Sequence, residues 1–450
     1  MPKRSCLAII LAAGEGTRMR SAVPKVMHKV GGLPMLGHVL ATARAAGATR
    51  HAVVVGPGAD AVKGFVKDTV PEAAIYLQAE RLGTAHAVLA ARKEFKASPD
   101  DVIVLYGDTP LLTATTLKRL RRMLANGADV VVLGFRTGDP TGYGRLLVDK
   151  GRLVAIREER DASSAERQIS LCNAGVMGLR GAAANLLKKI GNENAKGEYY
   201  LTDLVAIASD AGLKVVTLEG DEDEFLGVNS RVELAAAERV FQDRARRSAM
   251  DSGVTLIAPE TVWFSHDTQL GRDVTIEPNV FFAPGVAVAE GATIRANSHI
   301  DGARIGSGAI IGPFARLRPG ADIRPNAHIG NFVEIKNATI DEGAKVNHLT
   351  YIGDAKVGAA ANIGAGTITC NYDGVAKHHT EIGAGAFVGS NSALVAPVTI
   401  GKGAYVASGS VITSDVPEDA MAIARGRQVN KPAWAATLRN KRRTKPPKRS

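Results

Sequence analysis

Between Ile276 and Ile412 an apolar side chain returns at nearly every sixth position. Ile276, Phe282, Val288, Ile294 and Ile300 keep the interval, and Ile305, Ile311, Leu317, Ile323, Ile329 and Ile335 resume it after a one-residue slip. Ile340, Val346, Ile352, Val357 and Ile363 follow; after a break, Ile382, Val388, Leu394, Ile400, Val406 and Ile412 restore the beat. Helices repeat near 3.6 and an isolated strand near two, so neither gives six. A parallel β-helix does, with three short strands per coil, each sending one aliphatic residue into a narrow prism. Gly, Ala, Asn or Asp often follows the apolar position, as tight corners with positive φ require.

The register of that beat predicts what faces outward. Leu317, Ile335 and Ile352 recur on one face of successive coils, so Arg318, Glu334, Lys336 and Tyr351 beside them point to solvent together. Two cations, an acid and a phenol suit a sugar phosphate; a salt-bridged solvated face is the plain alternative. The missing beat between Ile363 and Ile382 predicts a loop ejected from the prism, carrying Asn371, Tyr372 and Lys377.

The first half of the chain has a different pattern. Strands are predicted at 6–11, 52–55, 75–77, 102–105, 130–135, 175–179 and 214–218, with helical periodicity at 34–46, 84–92, 115–124 and 201–211. Such alternation implies an α/β, Rossmann-like domain with a mostly parallel sheet, whose ligand sits where the strands end. Residues 230–250 read as one amphipathic helix with a capping box of Ser230 and Glu233. The predicted organisation is an α/β domain over 1–229, a connecting helix over 230–250, a β-helix over 251–424 and a basic tail over 425–450.

Composition narrows the setting. At 450 residues the chain exceeds one ordinary core. No apolar run approaches the length of a membrane span, and the short run 6–13 has no cleavage-like end, which argues against a secretory leader. Three scattered cysteines, Cys6, Cys172 and Cys370, argue for reduced thiols and a cytoplasmic setting. Ten of the net +11 charges lie in residues 425–450, which contain no acid, so the rest carries about +1. That removes most of the case for nucleic-acid binding by the folded body. The polar, Pro-containing tail is predicted to be disordered.

Chemistry enters at the end of the first strand. Leu11-Ala12-Ala13-Gly14-Glu15-Gly16-Thr17-Arg18-Met19, with Pro24-Lys25 beyond, lets backbone N–H groups approach an anion and adds two cations for a transferring phosphoryl group. A glycine turn with solvated cations is the plain alternative for the glycines alone. Asp108, after the strand ending at Tyr106, is either a helix cap or an oxygen ligand for Mg²⁺. His348 is one imidazole among ten and a candidate general base.

The whole string from Leu11 to Lys25 resembles the signature of the sugar-nucleotide pyrophosphorylases, and Gln78-Ala79-Glu80 with Gly83-Thr84 resembles the base-recognition segment of the uridylyltransferases among them. The strings 312–320, 330–336, 348–354 and 362–374 resemble bacterial bifunctional enzymes that join glucosamine-1-phosphate acetyltransferase to N-acetylglucosamine-1-phosphate uridylyltransferase, over nearly the whole chain to about Arg425. That resemblance implies a left-handed β-helix and a homotrimer with no membrane span and no need of nucleic acid. It implies Mg²⁺ on Asp108 and Asn229, with Arg18 and Lys25 catalytic. Nucleotide and sugar would meet Leu11, Ala12, Ala13, Gly14, Lys25, Gln78, Gly83, Thr84, Tyr106, Gly144, Glu158, Asn173 and Asn229. Glucosamine 1-phosphate would meet Arg318, Lys336, Tyr351 and Asn362, with His348 as base. Acetyl-CoA would meet Ala365, Asn371, Tyr372, Ser390, Ser408 and Arg425; at position 408 relatives also carry Ala, so only the backbone there carries over. The alternatives are a single-activity pyrophosphorylase with a regulatory or oligomerising β-helix, and a non-enzymatic scaffold.

Overall fold

Residues 4–443 are described by a computed structural model. The chain forms two compact units, Met1–Ser248 with Phe264–His266, and Ala249–Trp263 with Asp267–Ser450.

The first unit is built on strands β1 (Cys6–Ala12), β2 (Arg50–Val55), β3 (Ala74–Leu77), β4 (Asp101–Tyr106), β5 (Val130–Arg136), β6 (Arg145–Asp149), β7 (Arg152–Arg157), β8 (Leu171–Arg180) and β9 (Val215–Glu219). The main order is β9-β5-β8-β4-β1-β2-β3. Pairings are parallel except those of β8, which runs antiparallel to both β4 and β5, and those of the β6–β7 hairpin that joins its edge. The hairpin was not anticipated: its residues Arg145–Arg157 are broken by Asp149, Lys150 and Gly151, which obscure the strand pattern.

Both faces of the central strands are covered, which is why they read as continuous apolar runs. Ala8 and Ile10 of β1 enter one core with Leu36, Val39 and Leu40 of helix α1 (Met35–Ala45), whereas Leu7, Ile9 and Leu11 enter the other with Val88 and Leu204. Most of the helix Arg231–Asp251 groups with this unit, where Ala237 and Phe241 pack on Val30, Met35 and Leu111. Its start nearly follows the capping-box expectation: Glu233 N donates to Ser230 Oγ, but the Glu233 carboxylate accepts from Asn229 N (2.6 Å), one residue earlier.

The second unit is a parallel β-helix of three ladders. One runs through Thr293–Ile294, Ile310–Ile311, His328–Asn331, Lys345–His348, Asn362–Ile363 and Phe387–Val388. Another carries His299–Ile300, Arg316–Leu317, the start of Glu334–Ile340 and the start of Tyr351–Val357; those last two strands turn a corner unbroken into the third ladder. Ile294, Ile311, Leu317, Ile335, Val346 and Ile352 are fully buried, as the six-residue beat predicts.

Two expectations need revising. The beat does not stop at Ile363: Ile368–Cys370 is another ladder strand whose inward residue is Thr369, 1% exposed. Its hydroxyl accepts from Gly353 N (2.9 Å) and donates to Gly353 O (3.1 Å), so a polar side chain serves in an aliphatic row. The excursion is therefore shorter, pinched by a bridge between Tyr372 and Lys377. In the basic tail, Trp434–Arg443 is helical, consistent with its Ala, Leu and Arg content; residues 444–450 lie outside the described residues.

One corner of the prism departs from its own rule. The equivalent left-handed positions on successive coils are Asn279, Asn297, Phe314, Phe332, Leu349, Gly366, Asn391 and Gly409, with φ between 50° and 76°. Asn and Gly take this conformation cheaply, whereas Phe and Leu do not. Phe314, Phe332 and Leu349 are also exposed, and the two rings stack with centroids 5.0 Å apart.

Candidate active sites

In the first unit, β1 and β4 place Leu11 beside Tyr106, and Gly107 N donates to Leu11 O (2.9 Å). The glycine loop and the Tyr106–Asp108 segment thus meet at the carboxyl edge of the sheet. A cavity of about 310 Å³ opens there, lined by Leu11, Ala12, Ala13, Gly14, Lys25, Gln78, Gly83, Thr84, Tyr106 and Asp108. Gly16 lies at φ 66°, where a Cβ would stand 2.5 Å from Lys25 Cβ, so glycine lets the loop fold down on Lys25. Gly83 is held at φ 111° against the backbone of Tyr199, and the Gln78 amide donates to its carbonyl (3.1 Å).

The Lys25 ammonium donates to the Asp108 carboxylate and to Asn229 Oδ1 (3.1 Å). Val228 N donates to Asp108 O (3.0 Å), which locks the two oxygen-bearing residues together from segments far apart in sequence. A cation therefore already sits between the two expected metal ligands. Mg²⁺ needs only one or two protein carboxylates when phosphate oxygens complete its shell, so the pair fits such an ion. Among the described residues, no group of three or more His, Cys, Asp or Glu converges to hold a metal.

The expected sugar residues also gather. Asn173 N donates to Gly144 O (2.8 Å), and a Cβ on Gly144 would lie 3.6 Å from the Glu158 carboxylate. Burial pushes Glu158 above the ordinary carboxylate range, although its hydrogen bond from Thr202 (3.2 Å) opposes this. Burial, then the Glu158 charge, also raises the Tyr106 phenol. Gly144, Glu158, Asn173 and Asn229 do not line the cavity itself, and neither does Arg18, which sits exposed on a short turn.

A residue that sequence reasoning missed is Arg81. Its Nε donates to Ala13 O (2.9 Å), and its Nη1 pairs with Glu15, so it ties the base-recognition segment to the glycine loop. Its position inside the segment 78–84 was the available signal.

In the second unit, Arg318 pairs with Glu334 (2.9 Å), and Lys336 lies 3.9 Å from Asp354. Tyr351 pairs in register with Glu334. Asn371 is only 8% exposed; its amide donates to Asp354 and, at 3.5 Å, to the Tyr351 hydroxyl. Burial works against the Asp354 charge, but hydrogen bonds from Asn337 and Asn371 with Lys336 and Lys377 nearby outweigh it and lower its pKa. The close approach of the Lys336 ammonium lowers the Lys377 pKa. A dianionic group placed between these two ammonium groups would relieve that repulsion. Asp354 was not anticipated, although it closes the motif 348–354.

Asn362 does not join this patch. It lies in the ladder of Lys345 and Phe387, across the apolar corner. His348 ends the neighbouring strand of that ladder, Lys345–His348, one residue before the corner. Backbone hydrogen bonds link that pre-corner position from coil to coil. Leu349 N donates to Asn331 O, Gly366 N to His348 O, Asn391 N to Ala365 O, and Gly409 N to Ser390 O. Asn331, His348, Ala365, Ser390 and Ser408 therefore form one column along the prism edge, and Arg425 Nη1 closes it on Ser408 O (2.7 Å). Ser408 takes part in this contact through its backbone carbonyl. Tyr372 is exposed on the excursion.

The profile of the MobA-like NTP transferase domain matches residues 8–170, and that of the bacterial transferase hexapeptide (six repeats) matches 302–337 and 379–414. The Rossmann-like α/β unit is thus followed by a left-handed parallel β-helix. Curated relatives span both units. "Bifunctional protein GlmU" of Azorhizobium caulinodans is 60% identical over 440 residues, and that of Xanthobacter autotrophicus 61% identical over 440, each alignment covering 98% of both chains. The protein of the same name from Rhodopseudomonas palustris strain TIE-1 is 59% identical over 450 residues, all of each chain. With two built sites in one chain and this likeness across its whole length, the chain belongs to the family of bifunctional GlmU proteins.

Proposed function

We propose that the two sites act in sequence to make UDP-N-acetylglucosamine, acetyl transfer in the β-helix preceding uridylyl transfer in the α/β unit. The observation that carries the reading is the presence of one polar, built site in each unit of a chain from a bifunctional family.

In the acetyl step, Arg318, Lys336 and Lys377 hold the phosphate of glucosamine 1-phosphate, while Tyr351 and Asn371 orient the sugar, joined by Asn362 from across the corner of a neighbouring copy. The sugar amine attacks the acetyl carbonyl carbon of acetyl-CoA, and the His348 imidazole accepts the proton the amine loses. The C–S bond then breaks, and the imidazolium returns the proton to the leaving thiolate. Ala365, Ser390, Ser408 and Arg425, along the column from His348, with Tyr372 beside them, bind the cofactor-sized donor.

In the uridylyl step, Gln78, Gly83 and Thr84 hold the uracil, and the loop Leu11–Gly14 faces the phosphates. Gly144, Glu158, Asn173 and Tyr106 hold the acetylated sugar, whose phosphate attacks the α-phosphorus of UTP as pyrophosphate leaves. Lys25 and Arg18 balance the developing charge, Arg18 after swinging in from solvent. Mg²⁺ on Asp108 and Asn229, when bound, supplies further positive charge to the phosphate oxygens.

The protein is proposed to be a cytoplasmic homotrimer. Among the described residues no helix is long and apolar enough to cross a membrane. Support for self-association comes from the corner of Phe314, Phe332 and Leu349: large apolar residues exposed in a costly conformation are what an interface between copies would use. The phosphate patch and the His348 column flank that corner, which supports a site shared between copies.

The test is a pair of assays on the intact chain. Release of CoA from acetyl-CoA and glucosamine 1-phosphate should vanish in His348→Ala, while pyrophosphate release from UTP and N-acetylglucosamine 1-phosphate should persist. Unchanged CoA release in the variant would refute the acetyl-transfer assignment.

A further inference from the structure

The reading of His348 as general base leaves open what holds its ring and selects its reactive nitrogen. His348 Nδ1 lies 2.6 Å from Asn331 Oδ1. The two residues are register partners in adjacent parallel strands, Asn331 ending His328–Asn331 and His348 ending Lys345–His348. Leu349 N donates to Asn331 O (3.0 Å), and Gly366 N to His348 O (3.2 Å), so the backbones of both residues are pinned at the same edge of the prism.

We infer that Asn331 is a positioning residue for acetyl transfer: its carboxamide oxygen accepts from Nδ1–H and leaves Nε2 of His348 as the nitrogen that takes the amine's proton. An amide oxygen only accepts, so the ring nitrogen facing it carries the hydrogen, and in the neutral ring the other nitrogen keeps its lone pair. The same contact restrains rotation of the ring about its Cβ–Cγ bond, which matters for a side chain that is otherwise exposed. Asparagine also does this without adding charge. A carboxylate in its place would stabilise the imidazolium and make the ring reluctant to pass its proton on to the thiolate.

The surroundings allow the effect to be read cleanly. The other charged or titratable groups around the ring are Arg295 and His328, which line the same cleft, and Lys345 on the ring's own strand. The next coil contributes Asn362, Ile363, Gly364, Ala365 and Gly366, none of them charged. A carboxylate introduced at 331 would therefore be the one acid there among the described residues.

The test uses the full-length protein. Asn331→Ala should lower kcat for acetyl transfer about ten- to a hundredfold, the usual range when an orienting partner of a histidine is removed. KM for both substrates should stay within about twofold, and uridylyl transfer by the same preparation should be unchanged. Asn331→Asp should restore much of kcat at high pH and move the acid limb of kcat/KM toward higher pH. Unaltered kcat in Asn331→Ala, or an unmoved acid limb in Asn331→Asp, would overturn the assignment. A measurement that needs no active variant is ¹⁵N NMR of histidine-labelled wild type, with His348→Gln to assign the signal. A neutral ring protonated on Nδ1 is expected, and a ring protonated on Nε2 overturns the proposal. Full acetyl transfer by His348→Ala would instead overturn the choice of base on which the inference rests, a result distinct from the wrong tautomer.

Discussion

The Lys25 ammonium bridges the Asp108 carboxylate and Asn229 Oδ1, and so occupies the place where the two oxygens could share a divalent ion. The lysine thus neutralises Asp108; on the function proposed above, a divalent ion would share the two oxygens and Lys25 would turn toward phosphate oxygens. Asp108→Asn should therefore cut uridylyl transfer by about 10²–10³, the range seen when a charge-stabilising group is lost. Chelation of divalent ions should abolish the same reaction and leave CoA release untouched. Assaying both half-reactions on one preparation, with and without chelator, checks this; loss of both activities together would contradict it.

Arg81 predicts a subtler loss. It holds Ala13 O and Glu15 at once, and a Cβ on Gly56 would lie 3.1 Å from its guanidinium and 3.0 Å from Ala13 O. Arg81→Gln should free the glycine loop and raise KM for UTP about three- to tenfold, the worth of one partly exposed charged hydrogen bond, with kcat less affected. Gly56→Ala should act in the same direction by crowding the same carbonyl. Steady-state kinetics with UTP varied decides it.

How far the sequence carried these sites depended on which constraint each residue obeys. The inward rows were legible because a narrow prism admits little but aliphatic side chains, and Leu317, Ile335 and Ile352 then placed Arg318, Glu334, Lys336 and Tyr351 outward together. Thr369 defeated the same logic, since a hydroxyl satisfied by Gly353 is as good an inward residue as isoleucine yet carries no apolar signal. The loop at Leu11–Gly16 was legible from its glycines, but the pairing of Asp108 with Asn229 came only through the family resemblance, because no short spacing joins residues so distant in the chain. Asn362 was legible as a motif residue and not as a member of a face: its ladder is fixed by the slips in register that precede it. Arg81 and Asn331 act through other residues, and such roles leave no pattern of their own.

His51 makes stability depend on pH. It is 4% exposed at the start of β2, and neither ring nitrogen has a hydrogen-bond partner. Burial first, then the nearby Arg44, lowers its pKa below the ordinary value near 6.5, while Glu72 opposes them. The unfolded chain therefore takes up a proton at a higher pH than the folded one does. This contribution to stability is full above about pH 6.5 and is lost as pH falls through that value toward the folded pKa. His51→Leu should flatten the fall between about pH 7 and 5, each unit of pKa separation being worth about 1.4 kcal/mol. Thermal unfolding of both proteins across that range measures the difference; parallel curves would show that His51 titrates alike in both states.

Phe332 sets stability of the single chain against association. It is 55% exposed, lies at φ 55° and stacks on Phe314 across the coils. Asparagine occupies the equivalent position in the coils at 279, 297 and 391 and prefers this conformation, so Phe332→Asn should cost the isolated chain little. The lost ring stacking, about 0.5–1.5 kcal/mol, is offset in part by relief of backbone strain. If the ridge joins copies, the same change removes a buried aromatic anchor from each interface, a loss of about 2 kcal/mol or more per contact. Sedimentation should then show wild type as a trimer and the variant dissociating at micromolar concentration. Acetyl transfer should fall with the trimer, because the phosphate patch and the His348 column flank the ridge, while uridylyl transfer should hold. A variant that stays trimeric, or a monomer with full acetyl transfer, would separate the ridge from the site.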